Sequence, residues 1–262
     1  MSNCAPRQWL LLRGLARESA HWGEFLPQLQ AAFPQDRIAT LDLPGTGRFV
    51  EQISPSRIEN IVEICRRQAF ADGFLQQPPI VLGLSLGGMV AWQWLKQYPQ
   101  DALAGVLINS SFASLSPFYR RLRWQAYGDL LSLLADGDDF ALELGIVRLV
   151  SNREDAQRQA VARQWADIRH RRPMSNANIA RQLLAAARYR PDQQRPQQAL
   201  LLLNSAGDRL VSPACSAGIS QQYQIPLHIH PNAGHDLPLD DPAWVIQQLR
   251  DFVQSLPRLA KR

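Results

Sequence analysis

Pro79-Ile80-Val81-Leu82-Gly83-Leu84-Ser85-Leu86-Gly87-Gly88-Met89-Val90-Ala91 is the stretch on which the reading of this 262-residue chain turns. A short apolar run, Ile80–Leu84, enters a Gly-Leu-Ser-Leu-Gly turn, and a helix-forming segment, Met89–Gln97, follows without a break. So sharp a turn at the end of a strand forces strained dihedrals on Ser85 and brings neighbouring backbones together. Glycine at 83 and 87 removes the β-carbons that would clash there. The helix that begins at the turn directs free N–H groups and a partial positive charge at Ser85. A serine held this way suits attack on a carbonyl whose oxygen must then be stabilised. The strand–Gly-x-Ser-x-Gly–helix pattern is that of a nucleophile elbow. The same five residues also serve turns that only pack, and the flanking strand and helix favour the chemical reading.

Outward from this stretch, strands are expected at Gln8–Leu12, Arg37–Leu41, Ala104–Ile108, Ala199–Leu203 and Leu227–His230. Helical spacing runs over His21–Phe33, Ser56–Phe74, Ala214–Tyr223 and Pro242–Ser255. Strands alternating with helices imply an α/β fold, a mostly parallel sheet with helices on both faces. Between Ala113 and Arg190 the alternation stops and helix-like segments dominate: Arg121–Leu134, Phe140–Val150, Asp155–Arg169 and Asn178–Tyr189. The expected organisation is a core of residues 1–112 and 191–262 with an inserted helical cap, 113–190.

A serine nucleophile needs a base, and the base needs an orienting group. Of the five histidines, His235 follows the last expected strand inside Asn232-Ala233-Gly234-His235-Asp236, where parallel sheets place their chemistry. His228 and His230 alternate on that strand and read as a sheet face. His21 reads as a packing residue beside Trp22, and His170, among Arg169, Arg171 and Arg172, as a surface residue. Asp208 is the best candidate for the acid, because it stands in the loop that leaves the buried run Leu200-Leu201-Leu202-Leu203. Asp236, Asp240 and Asp241 lie close to His235 in sequence for facing its ring, and Asp42 reads as a turn-former before Pro44-Gly45. The oxyanion donors are expected at the N–H of Leu86, after the serine, and of Leu15, in the first loop Arg13-Gly14-Leu15.

These pieces together resemble the α/β-hydrolase superfamily, in particular its capped serine esterases. The matching segments are Leu11-Leu12-Arg13-Gly14, Leu41-Asp42-Leu43-Pro44-Gly45-Thr46-Gly47-Arg48, Gly83-Leu84-Ser85-Leu86-Gly87-Gly88, Gly207-Asp208 and Gly234-His235, in the family's order. The resemblance implies the α/β-hydrolase fold, with Ser85 as nucleophile, His235 as base and Asp208 as orienter. It implies hydrolysis of a carboxylic ester, with no cofactor and no metal. Thioesterase, carbon–carbon hydrolase or lyase activity on the same fold remains open, as does a non-catalytic ligand-binding homologue. Where that family commonly has His-Gly in the first loop, this chain has Arg13-Gly14. Arg13 therefore faces either an anionic substrate, a structural ion pair or solvent.

Composition narrows the rest. Hydrophobic residues make up 46% of the chain, which supports a sizeable core, and no apolar run reaches the ~18–20 residues of a membrane span. Residues 1–12 carry no signal pattern, so a cytoplasmic protein is expected. Cys4, Cys65 and Cys215 have no metal-ligand spacing and read as free thiols. The formal charge is +5, too mild to argue for nucleic acid. The cap holds thirteen arginines, no lysine and eight acids, and so carries the whole of that excess. Arginine recognises carboxylate and phosphate bidentately, which makes Arg153, Arg158 and Arg163 candidates for an anionic partner. The chain also resembles the methyl esterases of the pimeloyl-carrier-protein type, and that resemblance implies an acidic carrier protein bearing the acyl ester.

Overall fold

The computed structural model describes residues 6–123 and 138–256. Its sheet has six parallel strands: β1 (Gln8–Leu12), β2 (Arg37–Leu41), β3 (Ile80–Leu84), β4 (Ala104–Ile108), β5 (Ala199–Ser205) and β6 (Leu227–His230). Their order across the sheet is β2-β1-β3-β4-β5-β6. Strands β1, β3 and β4 are buried at every position, so they read as continuous apolar runs rather than as alternating ones. The period of two is still visible in what each residue meets. Leu10, Leu12, Val81 and Leu107 pack on one side of the sheet, and Trp9, Leu11, Leu82 and Val106 on the other.

Helices cover both faces. On the side of Trp9 lie α1 (Phe25–Ala32) and, near the chain's end, Pro242–Ser255; on the other lie α2 (Ile58–Ala71), α3 (Leu86–Gln97) and Ala214–Tyr223. Helix α2 buries Ile58, Ile61, Val62, Cys65 and Ala69, the i, i+3, i+4 stripe that faces a core. Ile58, Ile61 and Val62 each contribute roughly 1.5–3 kcal/mol by leaving water.

Between β4 and β5 the described residues contain helices and no strand: α4 (Phe118–Arg121), α5 (Asp139–Val150), α6 (Asp155–Arg171) and α7 (Asn176–Arg188). Helices α5 and α6 form their own small core from Val147, Leu149, Val150, Val161, Ala162, Trp165 and Ile168. Asp138 caps α5 through the N–H groups of Phe140 and Ala141, and Ser175 caps α7 through Asn178 N–H. After β5 come α8 (Ala214–Tyr223), the short α9 (Leu237–Asp240) and α10 (Pro242–Ser255).

Several boundaries differ from the sequence expectation. The helix expected over His21–Phe33 is two pieces, a 3₁₀ turn at Ser19–Trp22 and α1, because Gly23 takes φ 46° and cannot continue a helix. Helix α2 stops at Ala71, short of Phe74, where Gly73 turns the chain at φ 68°. Strand β5 runs on through Asn204 and Ser205. The helix expected at Arg121–Leu134 lies outside the described residues except at its start, where Arg121 instead closes α4. Cys4 also lies outside them. Cys65 and Cys215 are buried free thiols, and burial pushes both thiol pKa values up.

Candidate active site

Ser85 sits between β3 and α3 at φ 55° and ψ −115°, a conformation that a residue with a β-carbon rarely adopts. The turn is built by close backbone approach. A β-carbon on Gly83 would lie 2.2 Å from Gly87 O, and one on Gly87 would lie 2.3 Å from Leu12 O. Ser85 N–H donates to Ile108 O at 2.8 Å, and Ser110 Oγ donates to Ser85 O at 3.0 Å, so the tip of β4 holds the elbow. Ser85 Oγ makes no hydrogen bond to a described residue. The N–H groups of Leu86 and Leu15 have no acceptor among the described residues either. The first loop lies directly against the serine: a β-carbon on Gly14 would sit 3.3 Å from Ser85 Cβ and 3.9 Å from its Oγ.

Asp208 and His235 are brought together by the loops after β5 and β6. His235 Nδ1 lies 2.7 Å from Asp208 Oδ2, with the acid fully buried and the histidine nearly so. The other carboxylate oxygen accepts from the N–H groups of Leu210 and Val211 at 2.8 and 2.9 Å. Those two bonds fix the carboxylate, and with Nδ1–H donating to it, Nε2 is left as the basic nitrogen. The other acids near His235 are engaged elsewhere. Asp240 holds Ser151 Oγ and Gly234 N–H, and Asp241 caps α10 through Trp244 N–H and meets His230 Nε2 at 3.1 Å. Asp42 accepts from Ser19 N–H and Oγ, each at 2.6 Å, and from Arg48 N–H, so it ties two loops as a turn-former.

Asp236 explains the unusual first loop. Its carboxylate accepts from both terminal nitrogens of Arg13, at 3.2 and 2.5 Å, and both residues are 3% exposed. The Arg13 guanidinium also lies over the Trp22 ring, 4.8 Å from its centroid. Arg13 is therefore committed to a structural ion pair and not turned toward a substrate. The pair joins the residue before Gly14 to the residue after His235. Removing one partner of such a buried pair typically costs about 3–5 kcal/mol.

One organising residue gave no chemical signal in the sequence. Asn109, fully buried after β4 at φ 47°, donates to the carbonyl of His235 at 2.8 Å and to Ser205 Oγ at 3.0 Å. Its Oδ1 accepts from Ser205 N–H and Asn204 Nδ2. An asparagine immediately after a buried strand, where a left-handed residue is tolerated, was the available hint.

The other histidines divide by environment. His21 is buried, edge-on to Trp165, with Nε2 3.1 Å from Arg17 Nη1. Burial, and then the positive charges of Arg17 and Arg13, hold its pKa well below the usual histidine value. His228 pairs with Gln248 at the sheet edge, and His170 is solvent-exposed. Among the described residues no cluster of His, Cys, Asp and Glu has the makings of a metal site.

Several arginines of the helices between β4 and β5 are paired. Arg158 and Arg148 share Asp155, Arg169 meets Asp139 at 3.0 Å, and Arg172 pairs with Glu18 of the first loop. Arg163 stands 5.7 Å from the Phe140 ring centroid, and Arg153 is half-buried with its N–H on Ser151 Oγ. Arg121 is buried and donates to the carbonyls of Ala186 and Ala187, and desolvation lowers its pKa.

A family model described as "Alpha/beta hydrolase family" matches residues 9–248. No curated protein matches the chain by sequence. Among solved structures, the enol-lactonase from Burkholderia xenovorans is 16% identical with a TM-score of 0.75, covering 95% of this chain and 92% of that one. An esterase from a Rhodococcus species is 18% identical with a TM-score of 0.73, covering 98% and 94%. A thermophilic esterase from Thermogutta terrifontis is 18% identical with a TM-score of 0.70, covering 96% and 90%. At such identities these likenesses concern the fold.

Proposed function

The chain belongs to the alpha/beta hydrolase family, and from that premise we propose that it is a serine hydrolase of carboxylic esters using Ser85, His235 and Asp208. The observation that carries this reading is the buried 2.7 Å pairing of His235 with Asp208, in a chain that also holds Ser85 at positive φ at the end of β3. In the proposed reaction Ser85 Oγ attacks the ester carbonyl as its proton passes to His235 Nε2. Asp208 holds the imidazole tautomer and stabilises the imidazolium. The N–H groups of Leu86 and Leu15 receive the oxyanion. The imidazolium then protonates the departing alcohol, and water, deprotonated by the same histidine, releases the acid from Ser85. The serine–histidine contact forms with substrate in place, since catalytic hydrogen bonds often tighten only in the complex.

Two of the structural relatives are esterases and a third is an enol-lactonase, which supports the ester reading over thioester or carbon–carbon cleavage. A second element of the proposal concerns the partner. The arginine-only excess of the cap would draw an acidic acyl carrier to Arg153, Arg158 and Arg163, as the resemblance to carrier-protein methyl esterases implies.

One panel tests both parts. Product analysis on matched esters and thioesters, with Ser85→Ala as control, should show ester cleavage lost in the variant. A panel in which only thioesters or carbon–carbon bonds are cleaved would replace the ester assignment. Surface charges act over roughly 8–10 Å near physiological salt. A carrier-bound ester should therefore lose kcat/KM as salt rises while a small neutral ester does not. Parallel salt curves would reject the carrier.

A further inference from the structure

Three consecutive residues of the first loop are each held from the cap. Ala16 N–H donates to Gln182 Oε1 at 3.0 Å. Arg17 Nη1 meets Glu143 Oε2 at 2.8 Å, and its guanidinium lies 4.5 Å from the Trp165 ring centroid. Glu18 Oε2 accepts from Arg172 Nε at 2.9 Å. The partners come from three cap elements: Gln182 from α7, Glu143 from α5, and Trp165 and Arg172 from α6 and its end.

Gln182 is the partner that reaches the loop's backbone, and it is fully buried. Its Nε2 donates to Pro44 O at 3.2 Å, so one amide spans the loops after β1 and β2. Ala16 holds φ 53°, which an alanine does not keep without help from its surroundings. It directly follows Leu15, and the Gly14 backbone before Leu15 abuts Ser85.

We propose that Gln182 is a positioning residue for the oxyanion donor Leu15. The cap, seated on the core, fixes the backbone of the first loop, and the oxyanion hole is complete only with the cap in place. This rests on the reading of Ser85 and Leu15 given above. An oxyanion donor acts only within hydrogen-bond distance of where the charge develops, and a misplacement of about 1 Å from a change outside the chemistry can cost ~10²-fold in rate. Gln182 is neutral, so its influence runs through geometry and not through charge.

The test compares Gln182→Met, which fills the same space and loses both bonds, with Gln182→Glu, which keeps an oxygen for Ala16 N–H. On a soluble nitrophenyl ester, kcat and KM are measured with the affinity for an alkylboronic acid, whose serine adduct places an oxygen in the oxyanion position. Melting temperature and fluorophosphonate labelling of Ser85 are recorded for each protein. Gln182→Met should lower kcat and weaken the boronate about 10–100-fold while KM stays within about threefold. Gln182→Glu should recover most of both losses toward acidic pH, where a neutral carboxyl accepts from Ala16 N–H and donates to Pro44 O, and less of them once the carboxyl ionises. Wild-type kcat and boronate affinity in Gln182→Met, equal losses in the two variants toward acidic pH, or a loss that follows the unfolded fraction would overturn the positioning role. Wild-type protein that fails to label at Ser85 would instead overturn the serine reading beneath it, so the two failures are told apart.

Discussion

At the scale of single residues, the account depends on which acid faces His235. Asp208 is buried, fixed by two backbone N–H groups and 2.7 Å from the ring, whereas Asp236 is bound to Arg13. Asp208→Asn should leave melting behaviour close to wild type and lower kcat by about 10⁴-fold, the loss seen when a triad histidine is left in the wrong tautomer. Asp236→Asn should chiefly destabilise, because it strands a buried guanidinium. Steady-state kinetics with thermal melts would check both, and the reverse pattern would exchange their roles. Ser85 and Asp208 were legible as candidates because each follows a buried apolar strand run, and His235 because it stands in the Gly234-His235 loop after the last strand, Leu227–His230. Asn109, Gln182 and the Arg13–Asp236 pair were not, since their meaning lies in partners far along the chain. No local pattern announces such a partner.

At the scale of elements, the central strands β1, β3, β4 and β5 were read closely because their burial on both faces writes itself as apolar runs, while the edge strands β2 and β6 carry a mixed pattern. Helix boundaries were read less well, because Gly23 and Gly73 end or interrupt helices through positive φ that the hydrophobic spacing does not encode. The elbow makes a sharper case for glycine. Gly83→Ala would drive a methyl group to 2.2 Å from the Gly87 carbonyl, whereas a β-carbon at Gly218 in α8 meets nothing within 4 Å. Gly83→Ala should unfold or severely destabilise the protein. Gly218→Ala should be neutral or stabilise by about 0.5–1 kcal/mol through helix propensity. Chemical denaturation of the two variants measures the contrast, and equal stabilities would mean that the elbow is looser than described.

Across the whole molecule, the first loop and the helices between β4 and β5 meet along a polar seam, in which Glu18, His21 and Glu143 are buried and Arg17 and Arg172 reach them from less buried positions. His21 is held neutral there by burial and by Arg17 and Arg13. A histidine whose folded pKa is depressed binds its proton more readily in the unfolded chain, so its stabilising effect is present above the ordinary value of about 6.5 and is lost as pH falls. Melting temperature should decline as pH is lowered from about 7 toward 5, and His21→Gln should flatten that decline over the same window. An unchanged slope in the variant would place the acid sensitivity elsewhere. No helix among the described residues is long and apolar enough to cross a membrane. The seam joins the first loop after β1 to the helices between β4 and β5, and the Arg13–Asp236 pair joins the same loop to the histidine loop after β6.

The most direct measurement is covalent labelling of the folded protein with an alkyl fluorophosphonate, followed by mass mapping of the modified peptide. The account predicts one adduct, on Ser85, formed at a rate that collapses in His235→Ala and is absent in Ser85→Ala. An adduct on a different serine, or no adduct on protein shown to be folded, would contradict it.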